Sequence, residues 1–270
     1  MTGDSTMTMA AIASDTPAIL LRNDAAGITT LTLNRPKQYN ALSEALLAEL
    51  QRALDDVTAD RSVRVVVIAG NGPAFCAGHD LKEMRANYEQ AKIAALFAQC
   101  GEVMLSLTRL PQPVIAKVHG IATAAGCQLV AQCDLAVAAT TARFATSGIN
   151  VGLFCSTPAV PLSRNVPRKQ AMEMLLTGEF IDAQEALARG LVNRVVAADY
   201  LDDEVLRLAN VIKSKPPESI AMGKRLFYRQ CDVDLPQAYA MAAEVMACNF
   251  MHEEAAEGVD AFMQKRPPKW

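Results

Sequence analysis

The amino-acid sequence predicts an α/β protein built on a parallel β-sheet. Residues 63–69 (VRVVVIA) form a continuous apolar run, which is typical of a strand buried on both faces. Two further apolar runs follow at 113–118 and 133–139, and a helical pattern over about 89–107 separates the first two runs. A turn of small residues and a short helix separate the last two. This alternation of strands and helices favours a parallel sheet.

The N-terminal part predicts two strands and a helix before that run. The strands are residues 18–23 and 28–33, and a turn at 24–27 joins them. Ser43 can cap the helix, because a serine oxygen accepts hydrogen bonds from the unpaired N–H groups of a first turn. The apolar side of this helix consists of Leu46, Leu50, Leu54 and Val57.

The pattern after residue 160 is helical, with one short strand. Asp182 to Glu185 form a capping box, and Gly190 is a helix stop signal. A strand is predicted at 192–196. The helices that follow lie near 200–213, 217–230, 235–250 and 253–264.

Composition argues against several classes of partner. The net charge is −3 and the pI is near 5.7, without a basic patch for nucleic acid. No apolar stretch is expected to reach the roughly 18 residues of a membrane-spanning helix. The seven cysteines contain no CxxC pair, which predicts reduced core residues of an intracellular protein. Residues 1–16 lack the features of a secretory signal or transit peptide, so we expect a frayed tail and a cytoplasmic location.

A metal site is not expected. The three histidines are scattered along the chain. His252-Glu253 begins like the zinc-binding HExxH pattern, but residue 256 is alanine where the second histidine is required.

Two loops carry the features of a candidate site. The turn at 123–127 (TAAGC) has almost no side-chain bulk, and a helix is predicted to begin at Ala124 or Ala125. The first N–H groups of a helix lack partners within it and can hold an oxygen that gains negative charge. The loop at 70–80, after the run 63–69, is also rich in small residues. Together the loops could hold one oxygen atom; the alternative is close packing of helix on strand.

These stretches resemble the crotonase superfamily, whose largest branch is the enoyl-CoA hydratases and isomerases. The resemblance runs from about residue 19 to the C-terminus. The loop GINVGLFCSTP (148–158) is similar to the branch called enoyl-CoA hydratase domain-containing protein three. The motifs that carry the superfamily resemblance are LNRPK (33–37) with NAL (40–42), FCAGHDL (75–81), PVIA (113–116), AGCQL (125–129) with CD (133–134), and LTG (176–178).

The resemblance implies a fold and an assembly. The fold would be a spiral of ββα units with a helical C-terminal region. The expected domain organisation is a tail at 1–16, a core with the acyl-CoA site at 17–200, and an oligomerisation region at 201–270. That region would form homotrimers, often paired into hexamers.

The resemblance also implies a ligand and a set of site residues. Coenzyme A would be present as part of the substrate, with no permanently bound cofactor. The backbone N–H groups of His79 and Ala125 would hold the thioester carbonyl, and Ala125 in place of the usual glycine requires a negative φ. The residues expected to line the substrate and coenzyme A site are Lys37, Gln38, Tyr39, Ala77, His79, Asp80, Leu81, Lys82, Gly126, Ser147, Cys155 and Ser156.

Two departures leave the reaction open. Hydratases of this superfamily carry glutamates at the positions of Gln128 and Gly148, and neither residue here can accept a proton at neutral pH. A glycine at 148 would also permit a positive φ that glutamate tolerates poorly. Three interpretations therefore remain: an acyl-CoA enzyme with another acid–base group, a thioester-binding protein with little or no turnover, and a structural partner. A nucleophilic Cys155 would need a neighbouring base that the sequence does not identify.

Overall fold

The computed structural model describes residues 17–270, and the predicted tail at 1–16 lies outside the described residues. The strands are β1 (Leu20–Ala25), β2 (Ile28–Leu33), β3 (Val65–Gly70), β4 (Ala74–Cys76), β5 (Val114–Val118), β6 (Ile121–Thr123), β7 (Leu135–Ala139), β8 (Arg143–Ala145), β9 (Ile181–Asp182) and β10 (Arg194–Val196). The α-helices are α1 (Glu44–Ala59), α2 (Leu81–Ala86), α3 (Gln90–Arg109), α4 (Ala125–Gln132), α5 (Ser156–Asn165), α6 (Arg168–Thr177), α7 (Ala183–Ala188), α8 (Leu201–Lys213), α9 (Pro217–Gln230), α10 (Leu235–Phe250) and α11 (Glu253–Met263).

The strands form two sheets through which the chain spirals. One sheet has the order β1-β2-β3-β5-β7-β10, and all its neighbours are parallel except β1 and β2. The other has the order β4-β6-β8-β9, with only β8 and β9 antiparallel. The pairs β3–β4, β5–β6 and β7–β8 each contribute one strand to each sheet before the chain becomes helical. The predicted spiral of ββα units with a helical C-terminal region is confirmed.

Helix ends follow the predicted capping residues. Ser43 accepts a hydrogen bond from Leu46 N at 3.2 Å, and Asp182 accepts one from Glu185 N at 2.8 Å. Gly190 has a φ of +79°, which ends the turn after α7.

The six-stranded sheet is buried on both faces, which explains the continuous apolar run. Val66 and Ile68 of β3 point into the main core, which also contains the apolar side of α1. Val65 and Val67 point the other way, into a second cluster with Leu201 and other residues of α8. α8 thus packs directly on the sheet, while the division of the chain at residue 200 stays a prediction.

The cysteines are free thiols among the residues described, but two of them are not in the core. Cys76, Cys100, Cys127, Cys133 and Cys155 are buried, as expected. Cys231 and Cys248 are exposed on the C-terminal helices, contrary to the expectation.

The expectation that no apolar stretch is long enough to span a membrane is wrong for α3. This helix has 20 residues and contains a window with a mean hydropathy of 1.2, so it meets the length and composition of a membrane span. In the structure one side of α3 contributes to the core, and Gln51 of α1 donates a hydrogen bond to Ser106 at 2.9 Å. α3 therefore packs on α1 through one side only. Its buried residues are Leu96, Cys100, Val103, Met104 and Leu107.

A buried ion pair attaches α9 to the core. The Nζ atom of Lys224 donates to Asp134 Oδ2 at 2.6 Å and to the carbonyl oxygens of Leu107 and Gln112 at 2.8 and 2.9 Å. Tyr228 donates its hydroxyl proton to Asp134 Oδ1 at 2.7 Å. Burial lowers the pKa of Lys224, and the Asp134 carboxylate opposes that shift. The Lys224 ammonium, the Tyr228 hydroxyl and both carboxylate oxygens of Asp134 therefore have partners.

We predict that Lys224→Met destabilises the protein by about 3–5 kcal/mol, because it leaves Asp134 as a buried charge without its counter-ion. The exposed Lys169 on α6 provides the matched control, and Lys169→Met should change stability by less than about 0.5 kcal/mol. Urea denaturation at equal protein concentration measures both values. Equal stability of the two variants would show that the pair does not anchor α9.

Candidate functional site

Two glycines bring the candidate loops into contact. A Cβ atom at Gly126 in α4 would lie 2.0 Å from the carbonyl oxygen of Cys76, so only glycine fits there. Gly78 has a φ of +94°, and a Cβ atom at this position would lie 2.9 Å from Ala124 Cβ and 3.2 Å from Ala125 N. The N-terminus of α4 therefore rests directly on the loop that follows β4.

This contact places two free N–H groups close together. Leu42 N donates to Gly78 O at 2.7 Å and Asp80 N donates to Leu42 O at 3.1 Å, so the backbone bonds on either side of His79 hold the loop without using its own N–H. Ala125 is the first residue of α4, where an N–H has no partner within the helix. Over residues 17–270, neither the His79 nor the Ala125 N–H has a hydrogen-bond acceptor.

The residue before the helix carries the strain of this turn. Ala124 has a φ of +50° and a ψ of −120°, a combination that residues other than glycine rarely adopt. Ala125 does not have a positive φ. This agrees with the expectation for an alanine at a position where the resemblance implies glycine.

A buried asparagine fixes the segment that leads into β4. Asn40 has a φ of +55° and is fully buried. Its Nδ2 group donates to Asn71 O at 2.9 Å and to Ala74 O at 2.8 Å, and its Oδ1 atom accepts from Arg35 N at 2.9 Å. Asn40 therefore clamps the segment after β2 to the segment between β3 and β4.

A cavity of about 500 Å³ opens beside the two N–H groups. None of its lining side chains is Asp, Glu, Lys or Arg, and most are apolar. A cavity of this size and character suits an uncharged organic group. The lining residues are Ala77, His79, Leu81, Met84, Phe97, Ala124, Ala125, Ser147, Gly148, Val151, Gly152, Leu153, Phe154, Cys155, Ser156, Thr157 and Pro158.

The structure brings together about half of the predicted site residues. Those that line the cavity are Ala77, His79, Leu81, Ala125, Ser147, Gly148, Cys155 and Ser156. Those outside the lining are Lys37, Gln38, Tyr39, Asp80, Lys82, Gly126 and Gln128. Lys37, Gln38 and Tyr39 are exposed, and Tyr39 O accepts from Ala77 N at 3.0 Å, which places their turn beside the cavity wall.

Asp80 and Gly126 stabilise the loops around the cavity and do not line it. The Asp80 carboxylate accepts from Arg35 Nη2 at 2.9 Å and from the N–H groups of Lys82 and Glu83 at 3.2 and 3.3 Å, so it caps α2. Hydrogen bonds to the Arg35 guanidinium and to these N–H groups outweigh partial burial and lower the pKa of Asp80. Gly126 packs against Cys76 instead of facing the cavity.

His79 is the exception among the polar side chains of the cavity. Both of its ring nitrogens are buried without a hydrogen-bond partner among the residues described. The ring packs edge-on against Phe97, with 5.1 Å between the centroids. Burial lowers the pKa of His79 and outweighs the opposing effect of the Leu42 backbone, so the imidazole is neutral at pH 7.

Ser147 and Ser156 have hydrogen-bond partners, and Cys155 has a raised pKa. The Ser147 hydroxyl shares a 2.7 Å hydrogen bond with the Thr123 hydroxyl, and Ser156 donates to Phe154 O at 3.4 Å. Burial raises the pKa of Cys155, so its sulfur is a thiol and not a reactive thiolate.

The two positions that lack glutamate differ in the space around them. Gln128 is buried in α4, and its Oε1 atom has no partner in the described part of the chain. The possibility of a positive φ at Gly148 is wrong, because its backbone lies outside that region. Instead, a Cβ atom there would lie 2.6 Å from Leu153 O and 2.8 Å from Cys155 Sγ. The loop after residue 151 thus fills the space that a side chain at 148 would need.

Part of the cavity was not predicted from the sequence. Met84 and Phe97 contribute from α2 and α3, and residues 151–154 contribute from the loop before α5. Phe97 has the helical spacing of a core residue, so no sequence signal separated it from the packing positions of α3. The pair Leu153-Phe154 in a predicted loop was a usable signal, because it exposes two large apolar side chains.

The HExxH-like segment that begins at His252 does not belong to a cluster of possible metal ligands in the described part of the chain. Across residues 17–270, no group of three or more His, Cys, Asp or Glu side chains is placed to hold a metal ion. His252 instead caps α11, where its Nδ1 accepts from Glu254 N at 3.4 Å.

Comparison with known proteins adds a family assignment to this geometry. The sequence profile described as enoyl-CoA hydratase/isomerase matches residues 23–270. Among curated relatives, the mouse protein "Enoyl-CoA hydratase domain-containing protein 3, mitochondrial" is 47% identical over 90% of this chain and 81% of its own length. A "Probable enoyl-CoA hydratase" of Rhizobium meliloti is 36% identical over 87% of this chain and 91% of its own.

Solved structures agree with that assignment. A crystal structure described as an enoyl-CoA hydratase of Mycobacterium smegmatis is 60% identical and superposes with a TM-score of 0.93, covering 94% of this chain and 99% of that one. The human enoyl-CoA hydratase domain-containing protein 3 is 45% identical with a TM-score of 0.91, covering 94% of this chain and 100% of that one. The resemblance to the crotonase superfamily, and to this branch of it, is confirmed.

One prediction is overturned by the comparison. The predicted cytoplasmic location is wrong, because the mouse, rat, frog and human relatives are all named as mitochondrial.

We predict that Ala124→Gly stabilises the protein by about 1 kcal/mol, because glycine adopts a φ of +50° without the steric strain of a Cβ atom. The control is Ala131→Gly in α4, which should destabilise by about 1 kcal/mol, since glycine lowers helix stability where φ is ordinary. Urea denaturation distinguishes the two. If both substitutions destabilise equally, the turn at Ala124 is not strained.

Proposed function

Because the chain belongs to the enoyl-CoA hydratase/isomerase family, we propose that it binds an acyl-coenzyme A thioester and polarises its carbonyl group. The oxyanion hole consists of the backbone N–H groups of His79 and Ala125. The observation that carries this proposal is the pair of unbonded N–H groups beside an apolar cavity of about 500 Å³.

Polarisation of the carbonyl prepares two positions of the acyl group for reaction. Hydrogen bonds to the oxygen stabilise the negative charge that develops when Cα loses a proton or when a nucleophile adds at Cβ of an enoyl group. These bonds are stronger in a water-poor cavity than in solution. Because the donors belong to the backbone and are held by Gly78 and Gly126, they need no reorganisation when the ligand arrives.

The remaining predicted residues divide between the two ends of the ligand. Ala77, Leu81, Ser147, Cys155 and Ser156 lie at the acyl end. Lys37, Gln38, Tyr39 and Lys82 are exposed near the cavity and receive the coenzyme A portion, whose phosphates the two ammonium groups complement. Asp80 and Gly126 act by holding the loops. No permanently bound cofactor takes part.

The absence of carboxylates favours a second candidate function. Among residues 17–270, the lining of the cavity contains no Asp or Glu, and Gln128 and Gly148 occupy the two positions where the resemblance implies glutamates. A positioned acid–base group typically contributes on the order of 10²–10⁴ in rate. A protein that binds acyl-CoA with little or no hydratase activity therefore fits the same site.

We also propose that the chain assembles as a homotrimer or a dimer of trimers through its C-terminal helices. These helices expose more large apolar side chains than a solvent-facing surface normally carries. Phe227 on α9, Tyr239, Met246 and Phe250 on α10, and Phe262 on α11 are between 59% and 84% exposed.

We predict that isothermal titration calorimetry detects binding of butanoyl-CoA. The thioester should bind about tenfold more tightly than its S-butyl thioether, because only the thioester has a carbonyl oxygen for the two donors. Ala125→Pro removes one donor, because proline has no N–H group, and it should reduce that preference. No binding at millimolar ligand, or equal binding of thioester and thioether, would contradict the proposal.

We predict that the wild-type protein hydrates crotonyl-CoA slowly and that Gln128→Glu raises the rate at least about tenfold by supplying a proton acceptor. Gly148→Glu should give no gain, because its Cβ atom would meet Leu153 O at 2.6 Å. Gln170→Glu on α6 is the matched control, because the Gln170 Oε1 atom, like that of Gln128, is buried without a partner among the described residues, and it should leave the rate unchanged. A wild-type kcat/KM near the diffusional limit of about 10⁸ M⁻¹s⁻¹ would show that another group already performs the proton transfer efficiently.

A further inference from the structure

A second cavity adjoins the candidate site along the first turns of α3. This α3 groove has a volume of about 470 Å³. Phe97 lines both the groove and the cavity beside the His79 and Ala125 N–H groups, and among residues 17–270 it is the only residue that the two linings share. The two spaces therefore meet at one side chain. The groove is lined by Tyr88, Glu89, Gln90, Ile93, Ala94 and Phe97.

We propose that Phe97 closes the candidate site against the α3 groove and thereby restricts the protein to short acyl chains. This inference rests on the proposed function, since it requires the thioester carbonyl to lie against the His79 and Ala125 N–H groups. Without the Phe97 ring, the distal carbons of a longer acyl chain would enter the groove. The substrate class is then an acyl-coenzyme A whose alkyl chain ends inside the cavity of about 500 Å³.

The Phe97 ring is held in place by the residue that supplies one of the carbonyl donors. It packs edge-on against the imidazole of His79, with 5.1 Å between the centroids and 85° between the ring planes. Such aromatic pairs attract each other beyond the effect of their buried area. Both nitrogens of the imidazole are buried, so its ring serves as a packing surface for Phe97. This contact keeps the half-buried Phe97 ring between the cavity and the groove.

The walls of the α3 groove suit an alkyl chain. Ile93 and Ala94 precede Phe97 by four and three residues, which places the three side chains on one side of α3. The Arg85 guanidinium lies over the Tyr88 ring, 4.5 Å from its centroid, and supports the groove wall at Tyr88. Hydrocarbon that moves from water onto such apolar side chains is stabilised in proportion to the area that it buries.

The charges around the candidate site also favour the α3 groove as the place for distal carbons. In the described part of the chain, Glu89 is the only charged residue of the groove lining, and its 67% exposed side chain pairs with Lys92 at 3.2 Å. Another cavity adjoins the site at Met84, but its lining includes Glu44, Glu83 and Lys92. An alkyl chain against those groups would displace water from charges, which is costly.

The test is the affinity of the protein for saturated acyl-CoA ligands from butanoyl to decanoyl, measured by isothermal titration calorimetry. Each methylene group that leaves water should tighten binding about fourfold. In the wild-type protein we expect this gain to stop within the series, where the chain reaches Phe97. Phe97→Ala should extend the gain to longer chains and bind decanoyl-CoA at least about tenfold more tightly than the wild type does. Butanoyl-CoA should bind both proteins with similar affinity.

Three further variants separate the groove from a general effect on the fold. Phe97→Leu removes less of the side chain and should extend the gain in the same direction by a smaller amount. Ala94→Trp combined with Phe97→Ala fills the groove at an exposed position and should restore the wild-type dependence on chain length. Phe180→Ala is the matched control, since Phe180 is 39% exposed, stacks with Arg143 and lines neither cavity. It should keep the wild-type dependence.

The outcomes are distinct. Wild-type affinity that rises without a break from butanoyl- to decanoyl-CoA overturns the role of Phe97 and leaves the proposed binding function intact. An unchanged dependence on chain length in both Phe97→Ala and Phe97→Leu also overturns it. An extended gain in Phe97→Ala that Ala94→Trp does not reverse overturns the assignment of the groove. Absence of butanoyl-CoA binding overturns the proposed function and this inference together.

Discussion

The close approach of α4 to the loop after β4 is the constraint on which the candidate site depends. Gly126 leaves no room for a Cβ atom against the carbonyl oxygen of Cys76, and Gly78 leaves little room against Ala124. With these contacts, the N–H groups of His79 and Ala125 come from two different ββα units yet lie beside one cavity. The clamp at Asn40 holds the segment that leads into β4. A larger residue at Gly126 would separate the two donors.

The candidate site depends both on the backbone and on single side chains. The positions of the His79 and Ala125 N–H groups depend on glycine contacts and sheet topology. The two positions where the resemblance implies glutamates are occupied by Gln128 and Gly148. At Gly148 the absence of a side chain is also built into the packing, because Leu153 O and Cys155 Sγ occupy the space of a side chain. The chain therefore has the family's fold, without a carboxylate at residues 128 and 148.

The sequence predicted the elements that have a clear period or a capping residue. The helices that follow Ser43 and Asp182, the buried strand β3 and the four C-terminal helices all lie within a few residues of their expected bounds. It did not predict β4, β6, β8 and β9, because strands of two or three residues show no alternation. Met84 and Phe97 could not be distinguished from core residues, since cavity walls and cores are equally apolar. The space around Gly148 depends on a loop conformation, which residue identity alone does not determine.

The central claim is that two backbone N–H groups polarise a thioester carbonyl, and infrared difference spectroscopy tests it most directly. Butanoyl-CoA labelled with ¹³C at the thioester carbon allows the carbonyl stretch to be assigned in the complex. If the N–H groups of His79 and Ala125 bind the oxygen, the stretch of the bound ligand moves to lower frequency than in solution, because hydrogen bonding weakens the C=O bond. A bound ligand whose carbonyl frequency equals that in water, or lies above it, would contradict the account.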